Sequence, residues 1–285
     1  MSGAQGALGR YGECIENASK AIEMNGEEWL AYSSRAFCYT RIGNVAAATA
    51  DYEIYLSQSA NDSKAWYSYA ISQSDMGDLQ GAMDSYTRSL ELDPSYYPAN
   101  INRGLVYTDL GRYNEALADF NRALESGDIP AAYSGRGTVY YWLKRYDEAI
   151  SDLELATEMM PNRPHSYCML ALTYFETGRY QDSLEAAERV NQIEPGCGGN
   201  DLLEKQARSH YALGDYEQAI LYMNKALAVK PYSLGYYYRG IIFYDAGKKE
   251  QAISDLNQFL SYIGDDMAYG SEIADAKRRL KQLKP

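Results

Sequence analysis

Arg103 lies eight residues before Gly111, and Asp119 lies eight residues after it. The arrangement recurs as Arg35 and Asp51 around Gly43, Arg136 and Asp152 around Lys144, and Arg239 and Asp255 around Gly247. A guanidinium matches a carboxylate in a planar, two-bond geometry. If each central residue marks a tight turn between two helices, residues equidistant from it meet across the hairpin. The spacing therefore predicts four structural ion pairs. At three comparable places both members are missing together: Tyr69 with Ser85, Leu170 with Ala186, and Gln206 with Tyr222. Joint presence and joint absence fit physical contact.

The pairs need elements to hold them, and the sequence supplies these periodically. The turn residues are Gly9, Gly43, Gly77, Gly111, Lys144, Gly178, Gly214 and Gly247, spaced by 34, 34, 34, 33, 34, 36 and 33 residues. A period in this range marks a stacked repeat. An apolar-periodic segment of about three helical turns flanks each turn on either side. Glycine can end the first helix by adopting a left-handed conformation. Proline recurs at the second break, in LDPS at 92–95, MPNR at 160–163, EPGC at 194–197 and KPYS at 230–233. It stops one helix and can open the next. The residue after each arginine is small: Ala36, Gly104, Gly137 or Gly240. This predicts close helix approach opposite Ala48, Ala116, Ala149 and Ala252. The fold class expected is all-α, built from helix hairpins stacked in series.

The pattern resembles the tetratricopeptide repeat (TPR) family. Residues 63–96 carry it well, with Trp66, Tyr69-Ala70, Gly77, Ala82, Tyr86 and Pro94. The resemblance implies a right-handed α-α superhelical solenoid. It divides the chain into an incomplete first repeat at 1–28, mainly a second helix. Seven units follow at 29–62, 63–96, 97–129, 130–163, 164–199, 200–232 and 233–266, and then a capping helix at 267–285. In the cap, Ile273, Ala276, Leu280 and Leu283 recur at helical spacing among Lys277, Arg278, Arg279, Lys281 and Lys284.

Several function classes find no support. The net charge of -12 opposes nonspecific nucleic-acid binding, which depends on neutralising phosphates. No apolar run is long enough to insert in a membrane. There is no phosphate loop, zinc-protease motif or nucleophile elbow, so no enzyme activity and no cofactor are expected. Cys14, Cys38, Cys168 and Cys197 include no C-x-x-C spacing, and are read as free thiols in a reducing compartment, with Cys197 in GCGG the most exposed. With no signal peptide in MSGAQGALGR, a cytoplasmic location is expected.

The 29 tyrosines need sorting. Many occupy the family's packing slots. The resemblance implies that the first helix of each unit lines a concave groove, with the residue three before the turn pointing into it. That slot reads Thr40, Ser74, Thr108, Tyr141, Phe175, Tyr211 and Tyr244, small at first and aromatic later. Trp142, Lys205, Arg208, Tyr237 and Tyr238 join it in the C-terminal half. Aromatic anchors beside cations suit a peptide with apolar and acidic side chains. The alternative is that these rings pack on one another. Some TPR domains clamp the C-terminal carboxylate of Hsp70 or Hsp90. Asn102 fits one clamp slot, but Tyr67, Ile71, Ala131 and Gly135 stand where polar or basic groups are needed, so that function is rejected. The expected partner is a protein or peptide, bound by a non-enzymatic scaffold. The rival expectations are self-assembly into a homo-oligomer through the terminal units, and a fragment of a larger enzyme or regulator.

Overall fold

A computed structural model describes residues 2–264 and 266–283, with the backbone alone for residues 2–9. The described residues form helices and no strand. The chain divides between Val139 and Tyr140 into two compact units. The first contains α1 (Ser2–Met24), α2 (Trp29–Arg41), α3 (Val45–Gln58), α4 (Ser63–Asp75), α5 (Leu79–Leu92), α6 (Tyr97–Asp109), α7 (Tyr113–Leu124) and most of α8 (Pro130–Trp142). The second contains α9 (Tyr146–Met159), α10 (Pro164–Glu176), α11 (Tyr180–Ile193), α12 (Gly199–Ala212), α13 (Tyr216–Val229), α14 (Ser233–Asp245), α15 (Lys249–Ile263) and α16 (Gly270–Leu283). Sequential helices pack in pairs, and each pair packs on the next within its unit.

The turn residues explain the hairpins. Gly43, Gly77, Gly111, Gly178, Gly214 and Gly247 have φ between 70° and 82°, a region that L side chains disfavour. Lys144 takes the same role with a side chain attached, at φ 58°. After six of these seven turns the next residue starts the second helix in one of two ways, whereas Lys248, after Gly247, makes no side-chain cap. Asn44, Asp78 and Asp215 accept a hydrogen bond from the backbone N–H three residues on, satisfying an otherwise orphaned donor. Arg112, Arg145 and Arg179 instead lie over the rings of Tyr107, Tyr140 and Tyr174, at 4.6, 4.4 and 4.2 Å. They pair with Glu115, Glu148 and Asp182 in the first turn, where negative charge favours the helix dipole.

One expected break does not occur. Gly9 lies inside α1, which runs without interruption from Ser2 to Met24. An interior glycine costs a helix only about 1 kcal/mol, so it ends one only where a second arm packs back.

The small residues after the arginines do bring helices close, but larger groups fill the space. A Cβ at Gly104 would lie 3.0 Å from the Phe120 ring, and one at Gly240 would lie 2.8 Å from Leu256. Phe120 is fully buried and also abuts Gly135 of α8. One ring thus joins α6, α7 and α8, and its burial contributes roughly 1.5–3 kcal/mol.

At the C-terminus α16 covers the last hairpin. Ile273 and Ala276 are buried against Leu256 and Phe259 of α15. Arg279 is half-buried, pairing with Asp275 at 2.8 Å and Asp245 at 3.2 Å. Lys277, Arg278 and Lys281 are exposed. Lys284 lies outside the described residues.

Candidate functional site

Three of the arginines grip their aspartates through two bonds. Arg35 Nε and Nη2 donate to Asp51 at 2.7 and 2.8 Å. Arg103 does the same to Asp119 at 2.8 and 2.7 Å, and Arg239 to Asp255 at 2.6 and 2.9 Å. The carboxylates are almost fully buried. The remaining nitrogen, Nη1, reaches the second helix of the preceding repeat. It donates to Ser19 from Arg35, to Thr87 from Arg103 and to Asn224 from Arg239, at 3.1, 2.8 and 2.7 Å. Arg136 makes the same contact with Asn121 at 2.7 Å. The expected partner of Arg136, Asp152, belongs to the other unit, and their pairing stays an expectation from the sequence. In the clamps of Arg35, Arg103 and Arg239 each guanidinium is balanced by its aspartate, and all three nitrogens donate a hydrogen bond.

The aromatic row lies on the first helices of the second unit. Trp142 is 54% exposed and stands edge-on to Tyr141 with ring centroids 5.2 Å apart. Phe175 is buried, with Lys205 Nζ 4.4 Å and the Arg208 guanidinium 4.8 Å from its ring centre. Arg208 also lies 4.3 Å from the Tyr238 ring, so it is stacked between two aromatics. Both cations have carboxylate partners, Glu176 for Lys205 at 2.8 Å and Glu204 for Arg208 at 3.0 Å.

The tyrosine hydroxyls point to specific acceptors. Tyr211 donates to Asp245, Tyr237 to Asp275 at 3.2 Å and Tyr244 to Gln282 at 2.7 Å. Burial, and then the bond to Asp245, pushes the Tyr211 hydroxyl up to about 12, so it remains a donor near neutral pH. Burial alone leads the rise of Tyr141 to about 12. Tyr211, Asp245 and Arg279 are spaced by 34 residues. The cap therefore offers Arg279 where a further repeat would offer its own side chain. Most of the row is thus engaged within the solenoid, and Trp142 is its exposed member.

The cysteines overturn one expectation. Cys14 and Cys38 form a disulfide between α1 and α2. Both lie twelve residues from Gly26, in the segment joining these helices. The mirror rule that locates the ion pairs also locates this bond, whereas a search for local C-x-x-C spacing does not. Cys168 and Cys197 are free and half-buried, so Cys197 is not the exposed thiol expected. No group of three or more His, Cys, Asp or Glu that could hold a metal occurs among the described residues.

Asn102, the candidate clamp residue, donates to the Tyr67 hydroxyl at 3.1 Å. His210 stacks on Tyr222 at 5.3 Å, and His165 is exposed at the start of α10. No helix among the described residues is long and apolar enough to cross a membrane.

Comparison with known proteins agrees with this architecture. Models of the tetratricopeptide repeat match residues 63–96, 97–125, 128–192 and 204–266. Hsp70-Hsp90 organizing protein 3 of Arabidopsis thaliana is 31% identical over 85 residues, 30% of this chain and 15% of that protein. Tetratricopeptide repeat protein 6 of Homo sapiens is 27% identical over 119 residues, 42% and 23% of the two chains. The chain thus spans less than a quarter of these relatives' length. Among solved structures, the APC/C hetero-tetramer Cut9-Hcn1 superposes with a TM-score of 0.67 at 14% identity, over 96% of this chain and 53% of that one. Pseudomonas aeruginosa PilF gives 0.65 at 19% identity, over 74% and 96%. YrrB, described as a TPR protein with an unusual peptide-binding site, gives 0.53 at 23% identity, over 65% and 94%. At these identities the structural likeness shows the fold alone. The period, the left-handed turns and the matched repeat models together place this chain in the tetratricopeptide repeat family.

Proposed function

We propose that this chain is a non-enzymatic scaffold that binds a protein segment along the first helices of its C-terminal repeats. The observation that carries the reading is Trp142. A large aromatic that is 54% exposed and braced by Tyr141 has the character of an interface anchor, since tryptophan is enriched among residues that dominate binding energy. Behind it stand Phe175, Lys205, Arg208, Tyr211, Tyr237, Tyr238 and Tyr244. The cations beside the rings favour a segment with apolar and acidic side chains, which would compete with Glu176 and Glu204 for Lys205 and Arg208. The Hsp70-Hsp90 organizing proteins are named for organizing other proteins, and YrrB is described as having a peptide-binding site, which supports the class of partner. The carboxylate clamp is not part of the proposal, because Asn102 faces Tyr67.

The Cys14–Cys38 bond fits an oxidising compartment, since cytosolic thiols are held reduced. The reducing compartment expected from four free thiols loses that basis.

Selection from a displayed random-peptide library tests the proposal. The wild type is expected to enrich peptides carrying acidic and apolar residues, and Trp142→Ala is expected to bind them at least about tenfold more weakly, the size of a modest hot spot. Enrichment of nothing, or equal binding by the variant, would remove the site.

A further inference from the structure

The clamps follow a rule with three positions. Where the arginine is present, the residue ten after the preceding turn, or after Gly9 at the corresponding place in α1, is a neutral acceptor: Ser19, Thr87, Asn121 or Asn224. Where the arginine is missing, the same slot holds a glutamate: Glu53, Glu154 or Glu188. In two of these three repeats a tyrosine hydroxyl answers it. Tyr69 donates to Glu53 at 3.0 Å, and Tyr174 donates to Glu154.

The third repeat differs. Gln206 replaces the arginine and Tyr222 the aspartate. Glu188 accepts from Gln192, one turn along its own helix, at 3.3 Å. The clamp's place is an open cleft of about 510 Å³ lined by Glu185, Glu188, Gln206, His210, Asp215 and Tyr222. Gln206 is only 2% exposed, yet its Oε1 has no hydrogen-bond partner among the described residues. A buried, unanswered acceptor is costly and calls for a donor. His210 and Tyr222 stack beside it with an interplanar angle of 15°, and Lys225 Nζ lies 4.6 Å from the Tyr222 ring centre, so this aromatic pair already faces one cation of the chain itself.

We propose that this cleft binds the guanidinium of an arginine side chain presented by another polypeptide, in the place of the repeat's own arginine. Guanidinium has donors but no acceptor, and its planar fork can serve the Gln206 amide oxygen and the Glu188 carboxylate together. It also stacks on aromatic rings, where the compact ammonium of lysine lacks the same planar fit. The chain's net charge of -12 draws a basic segment toward it. The cleft shares no residue with the aromatic row, and its ligand has the opposite charge preference. The two proposals therefore fail separately.

The test is an NMR titration of the His210 and Tyr222 ring resonances with the pentapeptide Gly-Gly-Arg-Gly-Gly. Its citrulline counterpart has nearly the same shape without charge. Saturable shifts are expected with arginine, at least about tenfold weaker binding with citrulline, and loss of binding in two variants. Gln206→Arg with Tyr222→Asp restores the repeat's own clamp and fills the cleft. Glu188→Gln removes the charge at an exposed position and decides the matter even if the first variant does not fold. No saturable shift in the wild type, equal shifts with citrulline, or wild-type binding by Glu188→Gln would overturn the proposal and leave the cleft a solvated gap.

Discussion

Arg103 holds Asp119 with Nε and Nη2 and gives Nη1 to Thr87, so one side chain closes three helices. Asp119 lies on α7, Arg103 on α6 and Thr87 on α5, the last from the preceding repeat. The clamp therefore sets both the hairpin and the stacking of one hairpin on the next.

Removing one partner strands the other. Arg103→Ala or Asp119→Ala is expected to cost about 3–5 kcal/mol, because the side chains are only 13% and 6% exposed and an unpaired buried charge remains. The double variant is expected to cost less than the sum of the two. Urea denaturation of the four proteins reads both quantities, and strict additivity would mean that the residues do not act as a pair.

Lys144 pays a conformational penalty that its glycine counterparts avoid. Lys144→Gly is expected to stabilise the fold by about 1 kcal/mol, since a left-handed L residue is disfavoured by that order and the lysine side chain is exposed. A lower melting temperature for the variant would contradict this reading of the turn.

The disulfide joins residues 24 apart in sequence. Loop closure of that length stabilises a fold by about 3 kcal/mol. Thermal melting with and without reductant is expected to separate by a corresponding amount, and Cys14→Ser with Cys38→Ser to melt like the reduced protein. Coincident melts would show that α1 is held by packing alone.

Burial pushes the Cys168 thiol from its ordinary 9.0 up to about 11. Above its unfolded value the unfolded chain binds fewer protons than the folded one. This contribution to stability is fully present below about pH 9 and is lost as pH rises through about 11. Cys168→Ala is expected to flatten that alkaline slope, measured as denaturation midpoints across the range. An unchanged slope would place the thiol in water.

The hairpins are legible in the sequence because one left-handed residue per period is a local requirement, which Gly43 and its counterparts meet. The Arg–Asp spacing is legible for the same reason, as the turn fixes what lies opposite. Longer relationships are harder to read. The acceptor of Tyr211 lies 34 residues away on the next repeat, so a tyrosine that looks free to bind a ligand is already engaged. Gly9 carries the turn residue but lacks the packed arm that makes a turn pay. The third bond of each arginine, and the glutamate that replaces its acceptor, appear only when the preceding repeat is placed beside it.

Backbone hydrogen exchange of the wild type, with and without a peptide selected by display, tests the scaffold reading most directly. Added protection is expected at the C-terminal end of α8 and in α10, α12 and α14, which carry Trp142, Phe175, Lys205, Arg208, Tyr211, Tyr237, Tyr238 and Tyr244. Protection confined to α11, α13 and α15, or to the two ends of the chain, would contradict it.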